Sequence, residues 1–240
     1  MSGPVLLVAG VVALAAGLLL LQRGGSGYRV GRTLAAAPQL SLDEAIAAVA
    51  SGQERYIRTS GRVSSDEEFP DENDRPLVYR RQRIQRAAGG GRWQDLDDER
   101  LAVPFGLEIR GSFLALDVDA LGDGLVVVPR VGEGLARDLP EAIAGRLPPL
   151  DPAVPVRLLI EQLSAVEQAT AAGVPRLGQD GRPILSAGLG RPLIVTSLEP
   201  AAAMRVLAAG RRGAIRLAAG LLVGGLACLA VGLVVTLLGQ

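Results

Sequence analysis

The chain has 240 residues, and its 25 basic residues balance its 25 acidic residues, so the formal net charge is zero. A neutral chain has no bulk attraction for a polyanion, and we expect no nucleic acid partner. With no His and a single Cys, the chain cannot form a Cys/His zinc site or a Ser-His or Cys-His nucleophile pair. All the basic residues are Arg, which also excludes a P-loop lysine and a Schiff-base lysine. The absence of Lys is typical of G+C-rich coding sequences and favours a bacterial source.

Two long apolar runs enclose the polar part of the sequence. Residues 4–21 and 217–239 carry no charge, and a helix of about 20 apolar residues crosses the hydrocarbon core of a bilayer. The sequence therefore predicts one transmembrane helix in residues 1–22 and a second in residues 211–240. A cleaved signal peptide is the alternative for the first run, although no basic residue precedes that run.

The arginines beside the apolar runs all lie on the inner side of the sequence. They are Arg23, Arg29 and Arg32 after the first run, and Arg205, Arg211, Arg212 and Arg216 before the second. Because basic flanks stay in the cytoplasm, the pattern predicts an integral protein of a bacterial plasma membrane, with two spans and a cytoplasmic central domain. The membrane itself is then a partner of the protein.

The segment between the runs divides into a linker over 23–40, with a flexible Gly-rich start, and a folded domain over 41–210. The domain is predicted to begin with a helix near 41–51, since Ser41 and Glu44 fit a capping box ahead of an Ala-rich run. A second helix is predicted over 200–209, where a proline suits the first turn.

Short apolar and alternating stretches between these helices predict about six to eight strands. The predicted strands cover 56–63, 76–85, 103–109, 112–117, 125–129, 155–160, 163–169 and 193–196, where 155–160 and 163–169 are either two strands or one long strand. Turn signals separate them, above all the GQDGRP sequence at 178–183. Strands with helices only at the periphery predict a β-dominated domain between two transmembrane α-helices.

Four motifs follow one another in the central segment. They are Gly61-Arg-Val63 with Pro76-Leu-Val-Tyr79-Arg80, then Val103-Pro-Phe105 to Asp117, then Ala165-Val-Glu167 with Gly173, and last Pro192 to Ser197 before a helix. Their order resembles the GIDE domain, also called the BAM (beside a membrane) domain, of mitochondrial membrane-anchored E3 ubiquitin ligases and of bacterial relatives. The family layout of two membrane helices around this domain is similar too.

The resemblance implies a membrane-side β domain and does not extend to ligase chemistry. In the eukaryotic ligases, a zinc-binding RING follows the second membrane helix and brings in the ubiquitin-charged enzyme. This sequence has no His and one Cys, so it cannot form a RING, and we do not expect ligase activity from it. The family also often has a Cys near the Tyr-Arg strand, where this chain has Leu77 and Val78.

The residues that we predict to bind a partner are Tyr79, Arg80, Arg81, Arg83 and Glu167. Tyr79 and Arg80 match the family's Tyr-Arg strand, and the arginines offer an exposed basic face for lipid head groups or an acidic segment. The alternative is that these arginines pair with the acidic residues of a neighbouring loop. Glu167 lies on an otherwise apolar predicted strand, where a buried carboxylate needs a partner or a raised pKa; a structural salt bridge is the alternative.

Two acidic stretches, 66–74 and 95–99, are the other conspicuous polar groups. The first could bind a hard cation such as Ca²⁺, but it lacks the residue order of an EF-hand loop. Consecutive carboxylates in the second do not face each other, as acid–base catalysis would require. We predict that both are solvated loops, and we predict no metal, no cofactor and no catalytic residue.

Gly220 and Gly224 form a Gly-x-x-x-Gly pair in the second apolar run. This spacing allows close helix packing, either against the first helix near Gly10 and Gly17 or between two copies in a homo-oligomer.

The function that these features favour is a non-enzymatic, membrane-anchored scaffold that binds a protein partner, for instance by strand addition. One alternative is a component of a ligase-like system whose RING comes from another chain. The other is a carboxylate-based hydrolase, which requires acidic residues that converge in a pocket.

Overall fold

The computed structural model describes residues 3–24, 26–52, 54–209 and 212–238. Contacts divide the chain into two units, one within Met1–Thr33 and Met204–Gln240 and the other over Leu34–Ala203. The first unit is helical, and the second contains the strands.

In the first unit, helix α1 (Gly3–Gly24) packs antiparallel against helix α7 (Arg212–Leu238). The backbones approach closely, because a Cβ on Gly10 would lie 2.9 Å from the carbonyl oxygen of Gly225. Small residues permit such contact between helices that are apolar all round. Within the described residues, one stretch, Leu217–Thr236, is long and apolar enough to cross a membrane, and the apolar part of α1, Pro4–Leu20, is shorter. The prediction of two spans is therefore met for the second helix only.

Helix α2 (Ser26–Ala36) occupies most of the segment for which the sequence predicts a flexible linker. Its end is apolar: Leu34 is 3% exposed, as is Ala37 just beyond the helix. Burial of these side chains outweighs the glycines that suggested flexibility, since tertiary packing commonly decides whether a short segment is helical.

Helix α3 (Leu42–Ala50) confirms the predicted capping box. The Glu44 backbone N–H donates to Ser41 Oγ at 3.3 Å, and the Glu44 carboxylate accepts from the Ser41 N–H at 2.8 Å. Leu42 and Ala45 are buried, so the cap places the apolar face of α3 against the strands.

The second unit confirms the β-dominated class, with eleven strands and short peripheral helices in its described residues. The strands are β1 (Ile57–Ser64), β2 (Phe69–Pro70), β3 (Pro76–Ala87), β4 (Trp93–Ala102), β5 (Gly106–Ile109), β6 (Ser112–Leu116), β7 (Arg130–Leu135), β8 (Pro155–Ser164), β9 (Gln168–Leu177), β10 (Pro183–Ser186) and β11 (Ile194–Thr196). The remaining helices are α4 (Val118–Leu121), α5 (Glu141–Ala144) and α6 (Pro200–Ala209), and a single 3-10 turn spans Ala136–Asp138.

Five of the strands close into a barrel. The ring of neighbours runs β1, β5, β6, β10, β9 and back to β1, with β11 as an extra partner of β9. The β6–β10 pair is parallel, and the other pairs in the ring are antiparallel. If the barrel strands are numbered along the chain, their order is 1-2-3-5-4, the connectivity of an OB-fold barrel. Inward-pointing residues such as Val63, Leu107, Leu114 and Leu185 are fully buried and form its core.

The other strands form an antiparallel second sheet. Its order is β2-β3-β8-β7, and β4 pairs with β3 along the edge that β2 also occupies. All these strands belong to the two segments that connect β1 to β5 and β6 to β9. The second sheet is therefore built entirely from two long insertions into the barrel.

Several strand predictions differ from the structure. The acidic stretch 95–99, predicted as a loop, lies in the middle of strand β4. Strands β7 and β10 have no predicted counterpart, and β9 continues well beyond the predicted end at residue 169. Residues 125–129 do not form a strand, and among them only Leu125 makes an isolated bridge, to Val195. In each case pairing between distant segments decides the outcome, because β propensity depends strongly on neighbouring strands.

Candidate functional site

Strand β3 carries four of the five predicted partner-binding residues, and the structure separates them into different environments. Tyr79 is 3% exposed, and burial raises the pKa of its hydroxyl, although Arg100 and Arg81 oppose that shift. Because successive side chains on a strand point to opposite faces, Arg81 and Arg83 share one face of the second sheet and Arg80 points to the other.

Arg81 is the centre of an ionic network on that face. Its guanidinium contacts Asp98 on β4 at 2.6 Å, Asp123 at 2.7 Å and Glu161 on β8 at 4.0 Å. The side chain is 12% exposed, and hydrogen bonding to Asp98 raises the pKa of Arg81 and lowers that of Asp98. Arg81 therefore cross-links three segments of the domain.

The neighbouring arginines extend the same network. Arg83 contacts Glu161 at 3.1 Å, and Arg100 contacts Asp123 at 3.0 Å and Asp98 at 3.5 Å. This pairing corresponds to the alternative interpretation of the arginines, but the acidic partners come from strands β4 and β8 and from the turn after α4, not from the loop before β3. A role in partner binding stays a prediction for Tyr79, Arg80, Arg81 and Arg83.

Glu167 does not lie on a strand. It occupies the turn between β8 and β9, where its carbonyl oxygen accepts a hydrogen bond from the Val63 N–H at 2.8 Å. Its half-buried side chain lines a small pocket of about 200 Å³, together with Arg75 and Arg130 among other residues. The apolar residues around Glu167 predict a strand, but Ala165 and Val166 lie in the turn between β8 and β9.

The acidic loop 66–74 uses one of its carboxylates structurally. Asp71 accepts hydrogen bonds from the backbone N–H of Arg75 at 2.9 Å and of Asn73 at 2.7 Å, and from Arg75 Nε at 2.8 Å. The Arg75 backbone N–H is the leading cause of the lowered pKa of Asp71. Within the described part of the chain, no group of acidic, His or Cys side chains is arranged to hold a metal ion.

The outer face of the barrel has a groove that contains none of the predicted partner-binding residues. It has a volume of about 550 Å³. Its floor includes Phe113, Ala115 and Ile184, which alternate along β6 and β10 with buried leucines such as Leu114 and Leu185. The lining residues are Ser64, Ser65, Asp66, Glu67, Pro104, Phe105, Phe113, Ala115, Leu116, Asp180, Arg182, Pro183 and Ile184.

Phe113 is the exposed aromatic residue of the groove floor. Its side chain is 47% exposed although it lies on a strand. The ring lies over Gly106, because a Cβ added there would be 2.5 Å from the ring. A glycine at this position is therefore required for the ring to occupy its place.

Two rigid turns form the rims of the groove. On one side, Ser65 Oγ lies 2.6 Å from the carbonyl oxygens of both Glu67 and Pro104, which fixes the chain after β1. On the other side, the Gly178 N–H donates to the Arg182 carbonyl at 2.8 Å, and the Arg182 N–H donates to Asp180 Oδ1 at 3.0 Å. Both turns are held by internal hydrogen bonds, so the groove is largely preformed.

The rims carry more negative than positive charge. Asp66, Glu67 and Asp180 are exposed carboxylates, and Arg182 is the cation among the lining residues. Arg182 lies 3.8 Å from Asp180 and is largely exposed, so that pair is weak. An apolar floor between acidic rims can hold an apolar side chain and a cation at the same time.

The sequence predicts individual parts of this groove, but it does not predict that they lie close together. The sequence predicts a turn at GQDGRP and an acidic loop at 66–74, and the structure places parts of both at one site. The alternation of Phe113 and Ala115 with buried leucines could have marked Phe113 as outward-facing.

Comparison with known proteins finds no matching family model, no matching curated protein and no matching solved structure.

Proposed function

We infer that the chain is a membrane-anchored, non-enzymatic domain that binds a protein partner through the barrel groove. The observation that carries this inference is the exposed Phe113 in a preformed groove between two rigid rims. Aromatic side chains in concave sites supply much of the binding energy of protein interfaces. Preformed rims reduce the entropic cost of binding, because the backbone of the two rim turns is already ordered before the partner binds.

The charge of the groove favours a protein over a nucleic acid. In OB-fold barrels, the face of the second and third strands and the adjoining loops bind oligonucleotides or oligosaccharides. Here the adjoining loops carry Asp66, Glu67 and Asp180, which repel phosphates. A shared fold does not define a ligand, so the charge of the site carries more weight than the topology.

The exposure of the carboxylates argues against a hydrolase. Asp66, Glu67 and Asp180 are solvent-exposed, whereas an enzyme active site excludes water from its catalytic groups. The buried hydroxyl of Ser186 donates to Asp117 at 2.5 Å and accepts from Arg176 at 2.6 Å. These two hydrogen bonds connect β10 and β9 to the end of β6. These contacts support a structural role for Ser186.

The proposal includes two membrane spans and a cytoplasmic domain, as the flanking arginines predict. The close packing of α1 against α7 supports the two spans, since α1 can cross a bilayer beside α7 as the second member of an antiparallel helix pair. Exposed apolar residues on α1, including Val5, Val8 and Val12, suit contact with lipid. The likeness to the GIDE domain is part of the same proposal, as a membrane-side β domain without ligase chemistry.

A photo-crosslinking experiment in native membranes tests the proposed function. A benzophenone amino acid replaces Phe113 in one variant and the exposed Val166, which does not line the groove, in the other. We expect the first variant to capture one defined protein segment, identified by mass spectrometry, and the second not to capture it. The purified segment should then bind the protein, with weaker binding to the Phe113→Ser variant. Identical adducts from both positions, or lipid adducts alone, would contradict the proposal.

A further inference from the structure

We propose that the occupant of the groove is an extended basic segment that flanks a membrane span of another protein, with Arg or Lys side chains at the rims and an apolar side chain on the floor. This inference rests on the proposed function and specifies the chemistry of the partner. It commits to a peptide, because the groove is larger than one side chain and has rims on two sides.

The rims recognise the cationic part of the segment. Asp66 and Glu67 stand on one rim and Asp180 on the other, so an arginine that lies in the groove meets a carboxylate on either side. Hydrogen bonds between guanidinium and carboxylate are among the strongest that proteins form. Asp180 Oδ1 accepts from the Arg182 backbone N–H, but Oδ2 has only a distant contact with the Arg182 guanidinium, at 3.8 Å. An incoming guanidinium can therefore replace that side-chain contact.

The floor recognises the apolar part. Phe113, Pro183 and Ile184 face the groove, and Ala115 leaves space between them. An apolar side chain that covers Phe113 removes apolar surface from water, which favours binding. A guanidinium that stacks on the aromatic ring adds a cation–π contact.

The position of the domain in the chain favours a juxtamembrane occupant. The groove belongs to a domain whose chain continues into a helix long enough to cross a membrane. Segments next to the cytoplasmic ends of membrane spans are enriched in Arg and Lys. A tethered domain therefore meets such segments at a high effective concentration, which permits weak individual contacts to matter.

Peptide binding to the full chain tests this inference. The protein is placed in nanodiscs of uncharged phosphatidylcholine, and binding is followed by the fluorescence anisotropy of a labelled peptide of Arg, Leu and Phe. Two comparison peptides replace every Arg with Gln or with Glu. We expect the Arg peptide to bind about tenfold more tightly than the Gln peptide, the Glu peptide to bind more weakly still, and salt to reduce the difference.

Two matched triple variants locate the effect. D66N/E67Q/D180N removes the rim charges, and we expect it to abolish the preference for the Arg peptide. E54Q/E72Q/E133Q removes three exposed carboxylates that do not line the groove, and we expect the preference to persist. An Arg peptide that binds no better than the Gln peptide, or a preference that survives in D66N/E67Q/D180N, overturns the inference.

The two proposals fail separately. If Phe113 captures a defined segment that lacks basic residues, the proposed function stands and the basic partner is wrong. If the captured segment belongs to a second copy of this chain, the inference of a separate partner protein is likewise overturned.

Discussion

Arg81 and Asp98 form a bidentate pair across strands β3 and β4, with Nε to Oδ1 at 2.8 Å and Nη2 to Oδ2 at 2.6 Å. Strand β4 pairs with β3 and forms an edge of the second sheet. The parallel fork geometry is the strongest arrangement of this ion pair, and Arg81 is largely removed from solvent. This contact therefore attaches an acidic edge strand to the basic strand beside it.

Replacement of Arg81 by Met should destabilise the domain. The variant keeps most of the aliphatic stem but leaves Asp98 and Glu161 without their shared cation. We expect a loss of about 1–2 kcal/mol, reduced from the value for a fully buried pair because Asp98 is partly solvated. Guanidinium denaturation of the full chain, followed by the fluorescence of Trp93, the single tryptophan, measures the change.

Arg80→Met is the matched control for that experiment. Arg80 is the adjacent arginine on the opposite face of β3, outside the network around Asp98. Its replacement should alter the free energy of unfolding by less than about 0.5 kcal/mol. If the free energy of unfolding falls equally in Arg81→Met and Arg80→Met, the ionic network on the Arg81 face does not stabilise the domain.

Acid should destabilise the domain through Asp71. The hydrogen bonds from Arg75 lower the pKa of Asp71 below its ordinary value of 3.8. A lowered folded pKa contributes stability above the ordinary value, and this contribution is lost as the pH falls through the folded pKa. In Asp71→Asn, one side-chain oxygen remains as an acceptor for the backbone, but the charge that pairs with Arg75 is absent.

We therefore expect Asp71→Asn to be less stable than the natural chain at neutral pH, with the difference shrinking as the pH falls below about 3.8. Denaturation midpoints measured at a series of pH values test this. Glu72→Gln, at the adjacent exposed position, should follow the natural chain throughout. A difference between Asp71→Asn and the natural chain that is constant with pH would rule out the charge as the cause.

Local signals were sufficient for some elements of the fold. The capping box that begins α3 and the turn between β5 and β6 involve residues within a few positions of each other, and the sequence predicted both. The sequence does not predict strand β4, because consecutive acidic residues such as Asp97, Asp98 and Glu99 are typical of a solvated loop. Only the arginines of β3, brought alongside by pairing, make this acidic run a favourable strand.

The groove shows the same limit more clearly. Its lining comes from segments near residues 65, 105, 114 and 182. Closure of the barrel by the parallel β6–β10 pair brings these segments together. No local pattern specifies that pairing, so the sequence could supply the acidic rims and the outward Phe113 but not their proximity.

Tyr56 should stabilise the barrel through its hydroxyl. Its Oη donates to the carbonyl oxygen of Pro192 at 2.8 Å and lies 3.2 Å from that of Ala172. Burial raises the pKa of Tyr56 to about 12, although Arg191 opposes the shift. Tyr56→Phe should lower the free energy of unfolding by about 1 kcal/mol, since buried carbonyl groups lose a donor.

The same hydroxyl predicts an alkaline limit. A folded pKa of about 12, above the ordinary 10.0, contributes stability that is complete below pH 10 and is lost as the pH rises toward 12. Denaturation midpoints between these values should fall for the natural chain and fall less steeply for Tyr56→Phe. Parallel curves would show that Tyr56 ionises as freely in the folded domain as in the unfolded chain.

The two faces of α7 should respond oppositely to larger side chains. A Cβ on Gly225 would lie 3.0 Å from the Gly10 carbonyl oxygen, whereas a Cβ on Gly224 or Gly220 would have no neighbour within 4 Å. The predicted Gly220/Gly224 pair thus faces away from α1, and the adjacent Gly225 makes the close contact. A shift of one residue turns a helix by about 100°, which composition alone cannot resolve. Contact of Gly220 and Gly224 with a second copy stays a prediction.

Gly225→Leu should separate α1 from α7, and Gly224→Leu should leave them packed. Cys228, the single thiol of the chain, is half-buried one turn further along α7, so its alkylation rate by a maleimide in detergent micelles reports the packing. We expect faster alkylation in Gly225→Leu than in the natural chain and an unchanged rate in Gly224→Leu. If Gly224→Leu accelerates alkylation as much as Gly225→Leu does, the rate does not depend on the face that carries Gly225, and the packing of α1 against α7 through Gly10 and Gly225 is wrong.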